Sequence, residues 1–294
     1  MTKFHGTGVA LVTPFNTDRS IDFNGLQNLI NHTINGGVDY LVSLGTTGET
    51  ATLSADEKKA VWDFTFEANA GRVPLVAGIG GNNTKEVAEQ VKSVNGNHFD
   101  AILSVSPYYN KPTQEGIYQH YKAIAEASEL PIILYNVPGR TGSNITAETT
   151  LRLAHDINNI IAVKEASANF EQFNHIIKDK PADFLFISGD DPITLPMISM
   201  GAVGVISVIG NAVPTIFSTM VRMCLAGSFI EAQPLHYSLI EFTRQIFLEG
   251  NPAGVKAALK LLSVCGETVR LPLVNVGQEN LNKILKELQN LKLI

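Results

Sequence analysis

The chain has 294 residues, 45% of them hydrophobic, and a formal net charge of −6. That length suffices for a large buried core. An acidic balance without a long basic run excludes a nucleic-acid backbone or an anionic membrane surface as an attractive partner.

The opening residues, Met1 to Gly6, lead into a short apolar stretch closed by Pro14. This pattern has neither a signal-peptide core nor a membrane span, so a cytoplasmic protein is expected. Short β-branched and aliphatic runs then recur every 20 to 35 residues: Val9–Val12, Tyr40–Ser43, Leu75–Ala77, Ala101–Val105, Ile132–Tyr135, Ile160–Lys164, Phe184–Ile187 and Val205–Val208. Runs apolar on both faces belong to strands covered on both sides.

Helical text lies between them. Asp22 opens a stretch with Phe23, Leu26, Ile30 and Ile34 on one face, ended by Gly36 and Gly37. Ser54 to Glu57 has the form of a capping box, and Thr84, Thr113 and Thr146 each precede further helical segments. Eight such units predict a (β/α)₈ TIM barrel, an α/β fold, with a doubly wound open sheet as the alternative. After Ala226 the pattern is helical: residues 229–248, 252–264 and 279–291. The expected organisation is therefore a catalytic barrel over residues 1–225 and a C-terminal helical domain over 226–294.

Gly78 to Gly81 lacks the spacing and the acidic residue of a dinucleotide-binding loop. Seven scattered histidines have no metal-ligand spacing, Cys224 and Cys265 sit in apolar helical text, and no serine occupies a nucleophile elbow. The expectation is an enzyme with no metal and no cofactor.

In a barrel of this kind the chemistry collects where the strands end. Lys164 closes the oily run Ile160 to Val163, whereas most other lysines lie in polar helical or turn text. An amine held in an apolar pocket can lose its proton and attack a carbonyl. Strand two ends in Gly45-Thr46-Thr47-Gly48, whose amides and hydroxyls suit a carboxylate. A capped turn would need only some of the same residues. Strand five ends in Tyr135, which can pass a proton, followed by Arg140, which can clamp a second carboxylate. Taken singly, both are more often structural. Tyr108 and Tyr109 stand on a proline-flanked loop suited to an intersubunit contact, and Gly189 leaves room for a substrate. Asp190 and Asp191, without a third acid or histidine nearby, are read as caps of the following helix. An amine, hydroxyls and a carboxylate clamp together suit Schiff-base chemistry on a 2-oxo acid.

The motifs Gly45-Thr46-Thr47-Gly48-Glu49, Tyr135-Asn136-Val137-Pro138-Gly139-Arg140-Thr141 and Val163-Lys164-Glu165-Ala166 resemble the pyruvate-dependent class I aldolase family, which includes the N-acetylneuraminate lyases. The resemblance runs nearly the whole length. Gly139-Arg140-Thr141 favours the branch that condenses pyruvate with L-aspartate 4-semialdehyde in diaminopimelate and lysine biosynthesis. Lyases of sialic or other 2-oxo acids resemble the chain in fold and lysine, but usually differ at Thr46 and do not keep Arg140. A non-catalytic barrel that binds an oxo acid is the reading from a different class.

The resemblance implies an imine between Lys164 and pyruvate, and a proton relay of Thr46, Tyr135 and Tyr109, with Tyr109 supplied by a neighbouring subunit. It implies that Thr47 holds the pyruvate carboxylate and Arg140 that of the semialdehyde. Gly189 and Ile206 would line the pocket through their backbone. It also implies a homotetramer of tight dimers and an allosteric lysine site formed by Thr50, Ala51, Ala55, Lys58, Asn82, Glu86 and Tyr108. Ala55 and Lys58 replace histidines of the lysine-sensitive pattern. A cation at Lys58 repels a cationic effector, so weak or absent lysine inhibition is expected.

Overall fold

The fold is described from a computed structural model, which covers residues 2–94, 96 and 98–294. Among these residues eight parallel strands close a barrel in chain order: β1 (Gly6–Ala10), β2 (Tyr40–Ser43), β3 (Leu75–Gly78), β4 (Ala101–Val105), β5 (Ile132–Asn136), β6 (Ile160–Glu165), β7 (Leu185–Ser188) and β8 (Gly204–Ser207). The open sheet is thereby ruled out, since β1 pairs with β8 as well as with β2.

Side-chain alternation along the strands divides the apolar residues into two cores. Ala10, Val42, Val76, Leu103, Ile133, Ala162, Ile187 and Ile206 fill the barrel interior. Val9, Leu41, Ala77, Ile102, Leu134, Val163 and Phe186 face the helices, packing with Leu29, Ile117, Phe173 and Phe217. Both faces are covered, which is why the strands read as unbroken apolar runs.

The largest departure from the sequence pattern is β1. The apolar run suggests Val9–Val12, but the strand begins three residues earlier, ends at Ala10 and contains Gly6 and Gly8. The reason is space. A Cβ on Gly8 would stand 2.2 Å from the Tyr40 ring, which crosses it from β2, and Gly6 has φ +86. Gly204 backs onto the Gly6 backbone, where a Cβ would come within 2.0 Å of the carbonyl oxygen. Glycines weaken strands in isolation, but here they let neighbouring strands approach.

The helix starts largely follow local chemistry. Asp22 caps Phe23–Asn35, Ser54 and Glu57 complete their reciprocal box, and Thr113 and Thr146 each accept an N–H three residues on. Thr84 differs: Asn83 holds the cap position, and the Thr84 hydroxyl instead bonds Nδ1 of His120 at 2.8 Å.

After the barrel come helices Phe229–Leu248, Ala253–Leu261 and Gln278–Asn290. Leu239, Phe242, Ile246, Val255 and Ile284 belong to the same core as the barrel's outer face. No helix among the described residues is long and apolar enough to cross a membrane.

Candidate active site

The ends of β5 and β6 place Tyr135 and Lys164 side by side. The two residues are register partners, and both continue the inward alternation set by Ile133 and Ala162. Lys164 is 4% exposed, and its Nζ lies 4.2 Å from the centre of the Tyr135 ring. Burial penalises the ammonium and brings its pKa down to about 7. The Asp191 carboxylate opposes that shift, while Arg140 adds to it. A lysine in this state has a large neutral fraction near neutral pH, as a Schiff-base nucleophile requires.

Tyr135 responds in the opposite direction, because for a phenol the charged form is the deprotonated one. Burial pushes it up to about 12, partly offset by Arg140 and by the hydroxyl of Thr46. It therefore keeps its proton and can donate it.

The next rung of the same strand pair points outward. Asn136 and Glu165 are register partners, and the Asn136 amide donates to the Glu165 carboxylate at 3.0 and 3.1 Å. Glu165 also accepts from Ser167 N–H at 2.8 Å and from Gln172 Nε2 at 3.0 Å. This fully buried carboxylate is braced on three sides, so the strand end bearing Lys164 is held from behind.

Beside Tyr135 and Lys164 opens a cavity of about 410 Å³, which Tyr135 lines and Lys164, behind the tyrosine ring, does not. Thr46, Tyr135 and Arg140 line it, together with Gly45, Leu103 and Val137. Thr46 and Arg140 are exposed residues on turns, not within strands: Thr46 begins the 3₁₀ turn Thr46–Gly48, and Arg140 lies in the short helical turn Pro138–Thr141. Thr47 is buried beside them, and its hydroxyl accepts from Nδ2 of Asn251 at 2.9 Å.

Gly189 follows β7 and donates its N–H to Glu165 O at 2.8 Å. A Cβ there would lie 3.0 Å from Lys164 Cγ and 2.9 Å from Ala166 Cβ, so the missing side chain makes room for the lysine stem. Ile206 is buried in the barrel interior from β8. Tyr109 is not among the residues lining the cavity; it is 88% exposed with φ +75.

Asp191 is a correction. It does not cap a helix with its side chain; its carboxylate crosses to the end of β8 and accepts the N–H groups of Val208 and Ile209, each at 3.0 Å. Asp190, at the cap position of the turn Asp191–Ile193, makes no side-chain cap bond either. Burial and the charge of Asp191 raise Asp190 to about 6. The Asp-Asp-Pro text carries no local cue for this, because the amides that recruit Asp191 begin 17 residues further along the chain.

Of the residues expected to bind lysine, Thr50, Ala51, Lys58 and Tyr108 line the same cavity. Ala55, Asn82 and Glu86 do not. Asn82 donates to Tyr108 O at 3.2 Å, and Glu86 accepts from Asn83 at 2.7 Å. The Thr50 hydroxyl donates to Leu44 O and Gly45 O at 2.6 and 3.1 Å. Among the described residues no group of three or more His, Cys, Asp or Glu side chains could hold a metal ion.

The reach of the C-terminal segment into the site is scarcely visible in the sequence. Asn251, Pro252, Pro272 and Leu273 all line the cavity, although they lie far beyond the last strand. A single clue was present: Lys256 is the one charged residue among the first seven of the helix Ala253–Leu261, and it is fully buried.

The site can be compared with known proteins. A 4-hydroxy-tetrahydrodipicolinate synthase from Flavobacterium psychrophilum is 57% identical over 284 residues, 97% of each chain. A solved monomeric dihydrodipicolinate synthase variant superposes with a TM-score of 0.97 at 36% identity, covering 100% of this chain and 98% of its own. A dihydrodipicolinate synthase from Cyanidioschyzon merolae, solved with lysine bound, superposes with a TM-score of 0.95 at 38% identity over 99% of both chains. The sequence profile of the dihydrodipicolinate synthetase family matches residues 3–291. With a closed barrel, a buried lysine on β6 and a match over almost its whole length, this chain belongs to the dihydrodipicolinate synthetase family.

Proposed function

We propose that this chain condenses pyruvate with L-aspartate 4-semialdehyde through an imine on Lys164, the activity of the 4-hydroxy-tetrahydrodipicolinate synthase to which it is 57% identical. The observation that carries the reading is the buried amine of Lys164, brought down to about 7 and set against Tyr135, which lines the open cavity.

Lys164 Nζ attacks C2 of pyruvate, and the carbinolamine loses water to give an iminium. Loss of a C3 proton forms the enamine, whose C3 bonds to the aldehyde carbon of the semialdehyde as the aldehyde oxygen takes up a proton. The amino group of the added substrate then attacks C2, closes the ring and expels Lys164. Tyr135 and Thr46 supply and receive protons, in keeping with a phenol held protonated to about 12. Thr47 and its neighbouring amides hold the pyruvate carboxylate, and Arg140 holds that of the semialdehyde. Gly189 and Ile206 shape the pocket floor.

We read residues 1–225 as the catalytic barrel and 226–294 as the helical unit that completes the cavity rim. The working assembly is a cytoplasmic homotetramer in which Tyr109 joins the neighbouring subunit's relay. Its near-complete exposure in the single chain supports that assignment. Because one relative is a monomeric variant, sedimentation of the purified protein is the direct check. Lysine, seen bound to the Cyanidioschyzon relative, would occupy the cleft near Thr50, Ala51, Ala55, Lys58, Asn82, Glu86 and Tyr108.

Two assays test the function. Product formation from pyruvate and aspartate semialdehyde is expected, with no cleavage of N-acetylneuraminate; the reverse result overturns the assignment. Borohydride added with pyruvate should fix a reduced adduct on the peptide containing Lys164. Its absence would favour a binding barrel without catalysis.

A further inference from the structure

The turn that carries Thr46 and Thr47 is not held by the barrel alone. It ends at Glu49, a non-glycine residue at φ +54 and ψ 33 that links the turn Thr46–Gly48 to a second turn, Thr50–Thr52. An L-residue rests in this left-handed region only when its surroundings hold it there. The Glu49 side chain is buried to within 1% of full enclosure, and its Oε1 accepts from Lys256 Nζ at 2.5 Å. Its Oε2 accepts the N–H of Arg270 at 2.9 Å.

Lys256 is equally enclosed. Its Nζ also donates to Thr268 O at 2.8 Å and lies 4.2 Å from the centre of the Phe15 ring. Two residues back along the same turn, Thr47 accepts from Asn251. Asn251, Lys256 and Arg270 all come from the helical segment after the barrel, and their partners Thr47 and Glu49 flank a single glycine. Arg270 extends the clamp to Thr52 O at 2.9 Å and to Glu57.

A buried ion pair gives little net stability over well-packed apolar side chains, whereas removing one partner leaves a stranded charge. Stability alone therefore does not account for this geometry. We propose that Lys256 and Asn251 are positioning residues, which aim the Thr46–Thr47 turn at the pyruvate carboxylate through Glu49 and Thr47, Lys256 from outside the cavity lining and Asn251 from its wall. The inference rests on the role assigned above to Thr47. The helical appendage is then part of the machinery for forming the imine.

The test separates aim from stability. Lys256→Met and Asn251→Ala should each raise KM for pyruvate and slow borohydride trapping of the imine by about 10–100-fold, the scale of an angstrom-sized misplacement. The double variant Lys256→Met, Glu49→Leu replaces the pair by apolar side chains. It should recover the Tm lost by Lys256→Met yet keep the raised KM. Recovery of both Tm and KM would overturn the proposal, as would a fall in Tm without any change in KM or trapping. Thr47→Val is measured in parallel. If it raises KM for pyruvate while Lys256→Met and Asn251→Ala do not, the clamp alone fails; if Thr47→Val itself leaves KM unchanged, the role of Thr47 fails and the clamp falls with it.

Discussion

Tyr135 and Lys164 stand on the same rung of adjacent strands, with the lysine nitrogen 4.2 Å from the centre of the tyrosine ring. One rung on, Asn136 and Glu165 repeat the pairing on the opposite face, as a buried amide–carboxylate contact. The inward pair is suited to chemistry and the outward pair holds it steady.

The buried amine makes activity and stability respond to pH in linked ways. Below about 7 Lys164 is protonated and cannot attack, so kcat/KM for pyruvate should fall about tenfold per pH unit on the acid side. Its folded pKa is lower than the ordinary 10.5, so between these values the unfolded chain holds a proton that the folded chain lacks. Stability therefore rises with pH across that window, and the destabilising contribution is largest below 7. Lys164→Met should abolish trapping and, at pH 7, raise stability by on the order of 2–4 kcal/mol in a denaturation experiment.

Removing the phenol tests the relay. Tyr135→Phe keeps the ring against Lys164 but removes the proton that burial holds to about 12. A loss in kcat of about 10²–10⁴-fold is expected, with imine trapping still detectable. An unchanged kcat in steady-state assays would remove Tyr135 from proton transfer.

Arg140→Ala addresses chiefly the second substrate, since Arg140 is the smallest of the named influences on Lys164. Arg140 is exposed on its turn and lines the upper cavity, away from the packed strand ends. Loss of a charged partner for the semialdehyde carboxylate should cost about 2–5 kcal/mol in transition-state binding, read as a fall in kcat/KM for that substrate. KM for pyruvate and the melting temperature should change little.

Gly189→Ala is a steric test. The added methyl would meet Lys164 Cγ at 3.0 Å and Ala166 Cβ at 2.9 Å, both tighter than ordinary contact. Either the lysine stem or β7 must shift, at about 1–3 kcal/mol. Slower trapping by borohydride, together with a modest fall in Tm, is the expected result.

Lysine itself should inhibit weakly. Lys58 lines the cavity that also includes Thr50, Ala51 and Tyr108, and its charge repels a cationic ligand. Lys58→His should tighten inhibition, measured as a lower lysine concentration for half-inhibition at pH 8. Strong inhibition of the unaltered chain by sub-millimolar lysine would contradict this.

The barrel was legible because most strands are apolar on both faces and five of the helices between them, among the described residues, start at a side-chain cap. The run Ile160 to Val163 also set Lys164 apart, since an ammonium that closes an apolar strand is costly to bury, and the strand-end hydroxyls and Arg140 gave it a chemical context. Local text failed where distant backbone sets the geometry. The glycines of β1 are explained only by Tyr40 and by the Gly6–Gly204 approach, and Asp191 resembles a helix cap until the segment after β8 supplies two amides for its carboxylate.

The sequence by itself thus determined the repeat of strand and helix, the lysine that closes β6 and the hydroxyl-bearing turn, because periodicity and residue chemistry are local properties. Only the tertiary structure decided what enclosed them. Burial lowered the lysine's proton affinity, strand register brought Tyr135 against it, and the helical segment returned across more than 200 residues to grip the Thr46–Thr47 turn through Asn251 and Lys256. Those effects depend on desolvation and on contacts between segments far apart in the chain, which no local window of residues contains.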